Sequence, residues 1–194
     1  MCKLKSCIVL QDRVFCPDYD SHDKMLSELK IKDTRKNAES LFVRVELSPE
    51  DGDIFSLVDD WEMTVDQDIK PEWFLEEVDR PRVVAAVKEW SEKHVFCDKK
   101  DLMLNGGIYY LKNSTATLSD NSTATLRGNS TAKLYDNSTA KLYGNSVGII
   151  PDSMLAGKRN NYTARDNATI KDCKHKVICQ AGGWKFEVVT HEQD

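Results

Sequence analysis

The sequence predicts an α+β protein in two parts. A small acidic α/β domain is expected over residues 1–100, and a short two-sided β-solenoid over residues 101–194, with 16 residues, or two octads, per coil. Three observations carry this reading. Helical and strand-like periodicities alternate through the first hundred residues, near-identical octads run from Asn113 to Gly144, and the charge changes sign between the halves.

In the first part, "CIVLQDRVF" reads as a strand and "SHDKMLSELKI" as a short helix with Ser21 at its N-cap. "LFVRVELSP" alternates Phe42, Arg44 and Glu46 with Val43, Val45 and Leu47, the period of a half-buried strand. "WEMTVDQDI" repeats that pattern with Trp61, Met63 and Val65 on one side. "KPEWFLEEV" is expected to open a helix with Pro71 in its first turn, where the missing N–H is harmless. A second helix, "PRVVAAVKEWSEKH", spaces Val83, Val87 and Trp90 along one face.

In the second part, four octads begin at Asn113, Asn121, Asn129 and Asn137. A fifth decays into Pro151, and an echo returns at Asp166–Cys173. The fifth and seventh places hold Lys133, Lys141, Arg127, Tyr135 and Tyr143, so odd places face water. Ser, Ala and Leu at even places then face a narrow core. The eighth place alternates Asp120, Gly128, Asp136, Gly144, a 16-residue period that marks two different corners. An antiparallel meander of hairpins is the rival arrangement. Parallel pairing of octads two apart decides for the coil. "GGWKFEVVT" is expected to close the far end as a capping strand.

Composition narrows the class. With 40% hydrophobic and 30% charged residues the chain suits a folded protein. No apolar run approaches the roughly 20 residues that cross a bilayer, nor the roughly 7–15 of a signal-peptide core. A cytoplasmic location is expected, with no membrane partner. The six cysteines are too scattered for a disulfide scaffold. The first hundred residues carry 16 Lys/Arg and 23 Asp/Glu, and the rest 11 and 9, making −7 and +2 of the total −5. Glu46–Asp79 alone holds 13 acids against Lys70.

The octads resemble those of uncharacterised octapeptide-repeat proteins of bacteriophages and gut bacteria, and "MCKLKSCIVLQDRVF" and "VDQDIKPEWFLEEV" are similar to the opening of some of them. The resemblance implies a phage or mobile-element origin and supplies no activity, so no functional residue is carried over.

The expected function is binding without catalysis or cofactor. Glu46, Glu50, Asp51, Asp53, Asp59, Asp60, Glu62, Asp66 and Asp68 are the candidate acidic surface. It would imitate a phosphate backbone and occupy a nucleic-acid-binding partner, such as a host defence enzyme, without contacting nucleic acid itself. Lys133, Tyr135, Lys141 and Tyr143 are candidate partner contacts on the solenoid, and homodimerisation is expected. The alternatives are a structural module built on the solenoid and a metal-dependent hydrolase using Asp18, Asp20 and His22. Cys173, His175 and Cys179 in "CKHKVIC" offer three zinc-type ligands without a fourth, and Asp66 with Asp68 a carboxylate pair without a partner base. Both are expected to be structural, and no metal site is assigned.

Overall fold

The computed structural model describes residues 5–151, 161–173 and 176–182. The chain divides into two compact units, Met1–Val95 and Phe96–Asp194. The proposed closing strand "GGWKFEVVT" falls largely outside the described residues, and so does His175.

The first unit is a small region of strands and helices. "CIVLQDRVF" is a hairpin, β1 (Lys5–Leu10) and β2 (Val14–Phe15), turned at Gln11–Arg13 by a bond from Leu10 N to Arg13 O of 2.8 Å. β3 (Phe42–Ser48) and β4 (Glu62–Val65) complete a sheet in the order β2-β1-β3-β4. Every pairing is antiparallel, so the unit is α+β and lacks the parallel sheet of an α/β fold. All six β1 residues are buried, because α1 (His22–Glu28) and, beyond the single-turn α2 (Arg35–Ala38), α3 (Glu76–His94) both pack on that strand. Ile8, Leu10 and Phe42 form one core with Met25 and Leu26 of α1. Ser21 caps α1 by accepting from Lys24 N.

The two helices expected after Lys70 are one. Pro71 forms a turn with Phe74, and α3 begins at Glu76 with Pro81 inside it. The Asp79 carboxylate accepts from Leu75 N at 3.1 Å and secures the entry. Pro81 donates nothing to the Glu77 carbonyl, but both residues face water, which hydrates the freed group.

The second unit is a β-solenoid, about three turns of which are regular. Its strands are β5 (Val95–Cys97), β6 (Leu102–Asn105), β7 (Ile108–Lys112), β8 (Thr115–Ser119), β9 (Thr123–Arg127), β10 (Thr131–Leu134), β11 (Thr139–Leu142), β12 (Val147–Ile150), β13 (Asn161–Ala164), β14 (Thr169–Asp172) and β15 (Val177–Gln180). They form two sheets, β15-β14-β12-β10-β8-β6 and β13-β11-β9-β7-β5. Octads two apart pair in parallel: Ala132 with Ala116 and Leu134 with Leu118, and likewise Ala140 with Ala124 and Leu142 with Leu126. The meander is thereby excluded for the octads. The spacing changes outside them: Leu102 pairs with Ala116, Ile108 with Thr123, and Thr139 with Asn161. β15 ends its sheet antiparallel to β14.

Ser, Ala and Leu line the interior. Leu111, Leu118, Leu126, Leu134 and Leu142 are fully buried, as are Ser114, Ser122, Ser130, Ser138 and Ser146. The serines do more than fill space. Ser122, Ser130, Ser138 and Ser146 each donate to the carbonyl three residues back, at 2.6–2.8 Å, and so tie down a corner.

The alternating eighth residues sit in the left-handed region, from Asp120 at φ 51° to Gly144 at φ 67°. The two corners differ in what they hold. At one, the Asp136 carboxylate accepts from Asp120 N of the preceding turn at 3.2 Å. At the other the backbones close up: a Cβ on Gly144 would stand 3.3 Å from Gly128 N, and one on Gly128 would strike the Asn113 amide. Asparagine amides stack along both corners, Asn137 on Asn121 and Asn145 on Asn129.

Candidate functional site

The acidic stretch does not form one surface. β3 is covered on the face that carries Glu46, so Glu46 is only 7% exposed and cannot join an external patch. Asp59 makes an ion pair with Lys88 at 2.6 Å. Asp66 faces away from the others, toward His22, and Glu62 and Asp68 are exposed.

Glu50, Asp51, Asp53 and Asp60 do come together. With Pro49 and Ser56 they line a concavity of about 220 Å³, whose wall holds no lysine, arginine or histidine among the described residues. The loop beneath is ordered by its own bonds. Gly52 N donates to Pro49 O at 3.1 Å, Phe55 N to the Asp53 carboxylate at 3.2 Å, and the indole of buried Trp61 to Ser56 Oγ at 2.9 Å. Left-handed Gly52, at φ 67°, lets the chain reverse there.

The "PDYDSHD" aspartates disperse. Asp18 meets His94 Nε2 at 2.9 Å, and Asp20 accepts from buried Lys5 at 2.9 Å and from Ser6 N at 3.3 Å. Asp18, Asp20 and His22 therefore do not converge as the hydrolase alternative requires. His22 turns instead to residues distant in sequence. Its Nδ1 lies 3.2 Å from Asp66 Oδ2, and its Nε2 lies 3.2 Å from Val45 O. Ligand atoms of His22, Glu46 and Asp66 all fall within 4.8 Å of one another. Beside them opens a cavity of about 440 Å³ lined by Asp20, Ser21, His22, Asp23, Asp33, Arg44 and Asp66. Arg44 is held to Asp33 at 2.6 Å. In the sequence Asp66 stood out as part of the acidic stretch and as a neighbour of Asp68; its histidine stands 44 residues upstream, and no local spacing encodes that approach.

Cys173 and Cys179 are not placed to share an ion. Cys179 pairs with Ile170 across β14–β15, which puts Cys173 three residues along, roughly 10 Å away. The solenoid contacts divide too: Lys133 lies in β10 and Lys141 in β11, which belong to different sheets, with Tyr135 and Tyr143 following each. They form two small groups, each an exposed lysine beside a half-buried tyrosine, and no single face.

A reactive pair went unread. Cys7, fully buried in β1, is held well above the ordinary thiol range by its hydrogen bond with Cys16 and by burial. The same bond lowers Cys16, and the charge of Lys5 adds to the effect while burial opposes it. Cys7 S–H thus donates and Cys16 accepts. Alkylation of Cys16 by iodoacetamide, followed by peptide mass mapping over pH, is expected to reach half its maximum rate at a lower pH than free cysteine. Cys7→Ala removes the donor and should move that midpoint up; an unmoved midpoint contradicts the bond direction.

Among the described residues no helix is long and apolar enough to cross a membrane. No family model, curated protein or solved structure matches the chain.

Proposed function

We propose that this chain is a non-enzymatic binding protein. Its first unit offers the carboxylates of Glu50, Asp51, Asp53 and Asp60 to a basic surface on a partner protein, and the solenoid, read as two octads per 16-residue coil, supplies a rigid body. The supporting observation is the concavity of about 220 Å³ whose described wall gathers four carboxylates. Because its loop is already bonded in place, little conformational freedom remains to be lost on binding. Clustered negative charge with a concave shape attracts basic clefts at long range, and such clefts are what nucleic-acid-binding proteins present. On this reading the phage resemblance makes a host defence enzyme the natural partner.

The test is retention of host proteins on the immobilised full chain, compared with a variant carrying Glu50→Lys, Asp51→Lys, Asp53→Lys and Asp60→Lys. These side chains are exposed or half-buried, so the fold should survive reversal, which circular dichroism checks. Partners of the native chain should elute as salt rises and be lost from the variant. Identical retention by both proteins sinks the reading.

A further inference from the structure

We propose that His22, Glu46 and Asp66 form a binding site for a divalent first-row transition-metal ion. The His22 ring lies between two acceptors. Its Nε2 contacts Val45 O at 3.2 Å, and a carbonyl only accepts, so the neutral ring carries its proton on Nε2. Nδ1 then presents a lone pair, yet it points at the Asp66 carboxylate 3.2 Å away, another acceptor. Two acceptors so close call for positive charge between or on them. Ligand atoms bound roughly 2.1 Å from one ion, at angles between square and tetrahedral, stand roughly 3.0–3.4 Å apart. The observed separation lies in that range.

Glu46 is the independent observation. Its side chain is more than nine-tenths buried, at the same end of the sheet as His22 and Asp66. Its carboxylate lies within 4.8 Å of the His22 and Asp66 ligand atoms. A buried carboxylate is costly unless compensated, and a cation removes that cost. Directly across β1–β3 from Glu46 lies Ser6, whose Oγ is buried without a hydrogen-bond partner among the described residues. One buried hydroxyl without a partner among the described residues thus stands on the strand position opposite Glu46, where a hydrated ion would satisfy it.

The surroundings fit. A Val45 carbonyl fixing the distal nitrogen of a ligating histidine is the usual outer-shell arrangement. The adjoining cavity of about 440 Å³ gives an ion an entrance; of its four aspartates Asp20 is paired with Lys5 and Asp33 with Arg44, and Asp23 and Asp66 leave its charge negative. One imidazole with two carboxylates suits Mn²⁺, Fe²⁺ or Zn²⁺. An imidazolium donating from both nitrogens would also satisfy His22 and Asp66, but it leaves Ser6 Oγ unexplained.

Mn²⁺ is the discriminating probe, because the chain's six cysteines compete for Zn²⁺ and have little affinity for Mn²⁺. Titration of the full chain, following loss of the free Mn²⁺ paramagnetic resonance signal, should give one saturable site per chain. His22→Gln, Glu46→Gln and Asp66→Asn should each weaken it at least about tenfold, while Asp18→Asn, outside the cluster, should not. His22 and Glu46 are buried and their variants could misfold; Asp66 is 58% exposed, so Asp66→Asn decides the matter in a folded protein. Absence of saturable uptake below about 1 mM, or unchanged uptake by folded Asp66→Asn, overturns the proposal.

Discussion

Replacing Leu126 by alanine is expected to destabilise the solenoid by about 2–5 kcal/mol. Leu126 is fully buried, and in the parallel ladder its partners are Leu111 on one side and Leu142 on the other. The substitution removes three carbons from the middle of a stacked row. The neighbouring strands cannot close the gap, since hydrogen bonds on both sides hold them at the inter-strand spacing. The residual cavity therefore stays large, which places the cost in the upper part of that range. In a stacked repeat each turn is stabilised mainly by its neighbours, so a loss at an inner turn weakens two interfaces at once.

Guanidinium unfolding followed by far-ultraviolet circular dichroism measures this effect. Tryptophan fluorescence is weighted toward the first unit, which contains Trp61, Trp73 and Trp90 of the four tryptophans, the fourth being Trp184. The dichroism midpoint should fall in Leu126→Ala, and less in Leu102→Ala, where the side chain is only half-buried at the edge of its sheet. A loss below about 0.5 kcal/mol, the scale of an ordinary surface change, contradicts the dry leucine seam.

The second large effect is expected at Lys5. Its side chain is fully buried, a rare state for lysine, and it is compensated three ways. The ammonium donates to Pro17 O at 2.6 Å and to the Asp20 carboxylate at 2.9 Å, and stands 4.7 Å from the centre of the Trp90 ring. Lys5→Ala strips the charge from that set and empties the volume of the stem. Breaking a buried pair costs about 3–5 kcal/mol; Asp20 keeps 39% of its side chain in solvent, which holds the loss toward the lower figure. Lys5→Met restores the packing without the charge, and should recover part of the stability. Thermal unfolding of the three proteins decides. If methionine and alanine lose equally, the electrostatic partners carry the effect; if neither loses stability, the compensation argument is wrong.

The solenoid was legible because its information is local and repeated. Lys133, Lys141 and Arg127 at odd places forced Ser, Ala and Leu inward, and the Asp/Gly alternation gave the corners. What the octads did not reveal is the role of their serines. Size alone accounts for a small residue at Ser130, whereas its hydroxyl bonds to Arg127 O at 2.7 Å and Leu111 O at 3.2 Å need the corner in three dimensions. The turn lengths outside the octads were hidden as well, because those segments carry no repeat to count.

The first unit was less legible, and Glu46 shows why. Strict alternation along β3 suggested that Phe42, Arg44 and Glu46 faced solvent as a group. Phe42 was the contrary sign, since a fully buried phenylalanine on that face means that something covers it. The cover is α1, which the sequence predicted as a helix without saying where it would pack. Likewise Pro81 looked like a helix start, and only its exposed position on α3 explains how the helix passes through it.

By itself, then, the order of residues determined the local grammar of the repeat: where its strands and corners fall, which of its side chains avoid water, and how much charge each half carries. These follow from nearest neighbours and from periodicities of 2 and 8. Tertiary structure alone decided which charges stand free, which are paired and which converge. It separated Asp18 from His22, delivered Asp66 to His22 and turned Glu46 inward, because electrostatic partnership depends on distance through space, and the folding of one strand against a helix sets that distance.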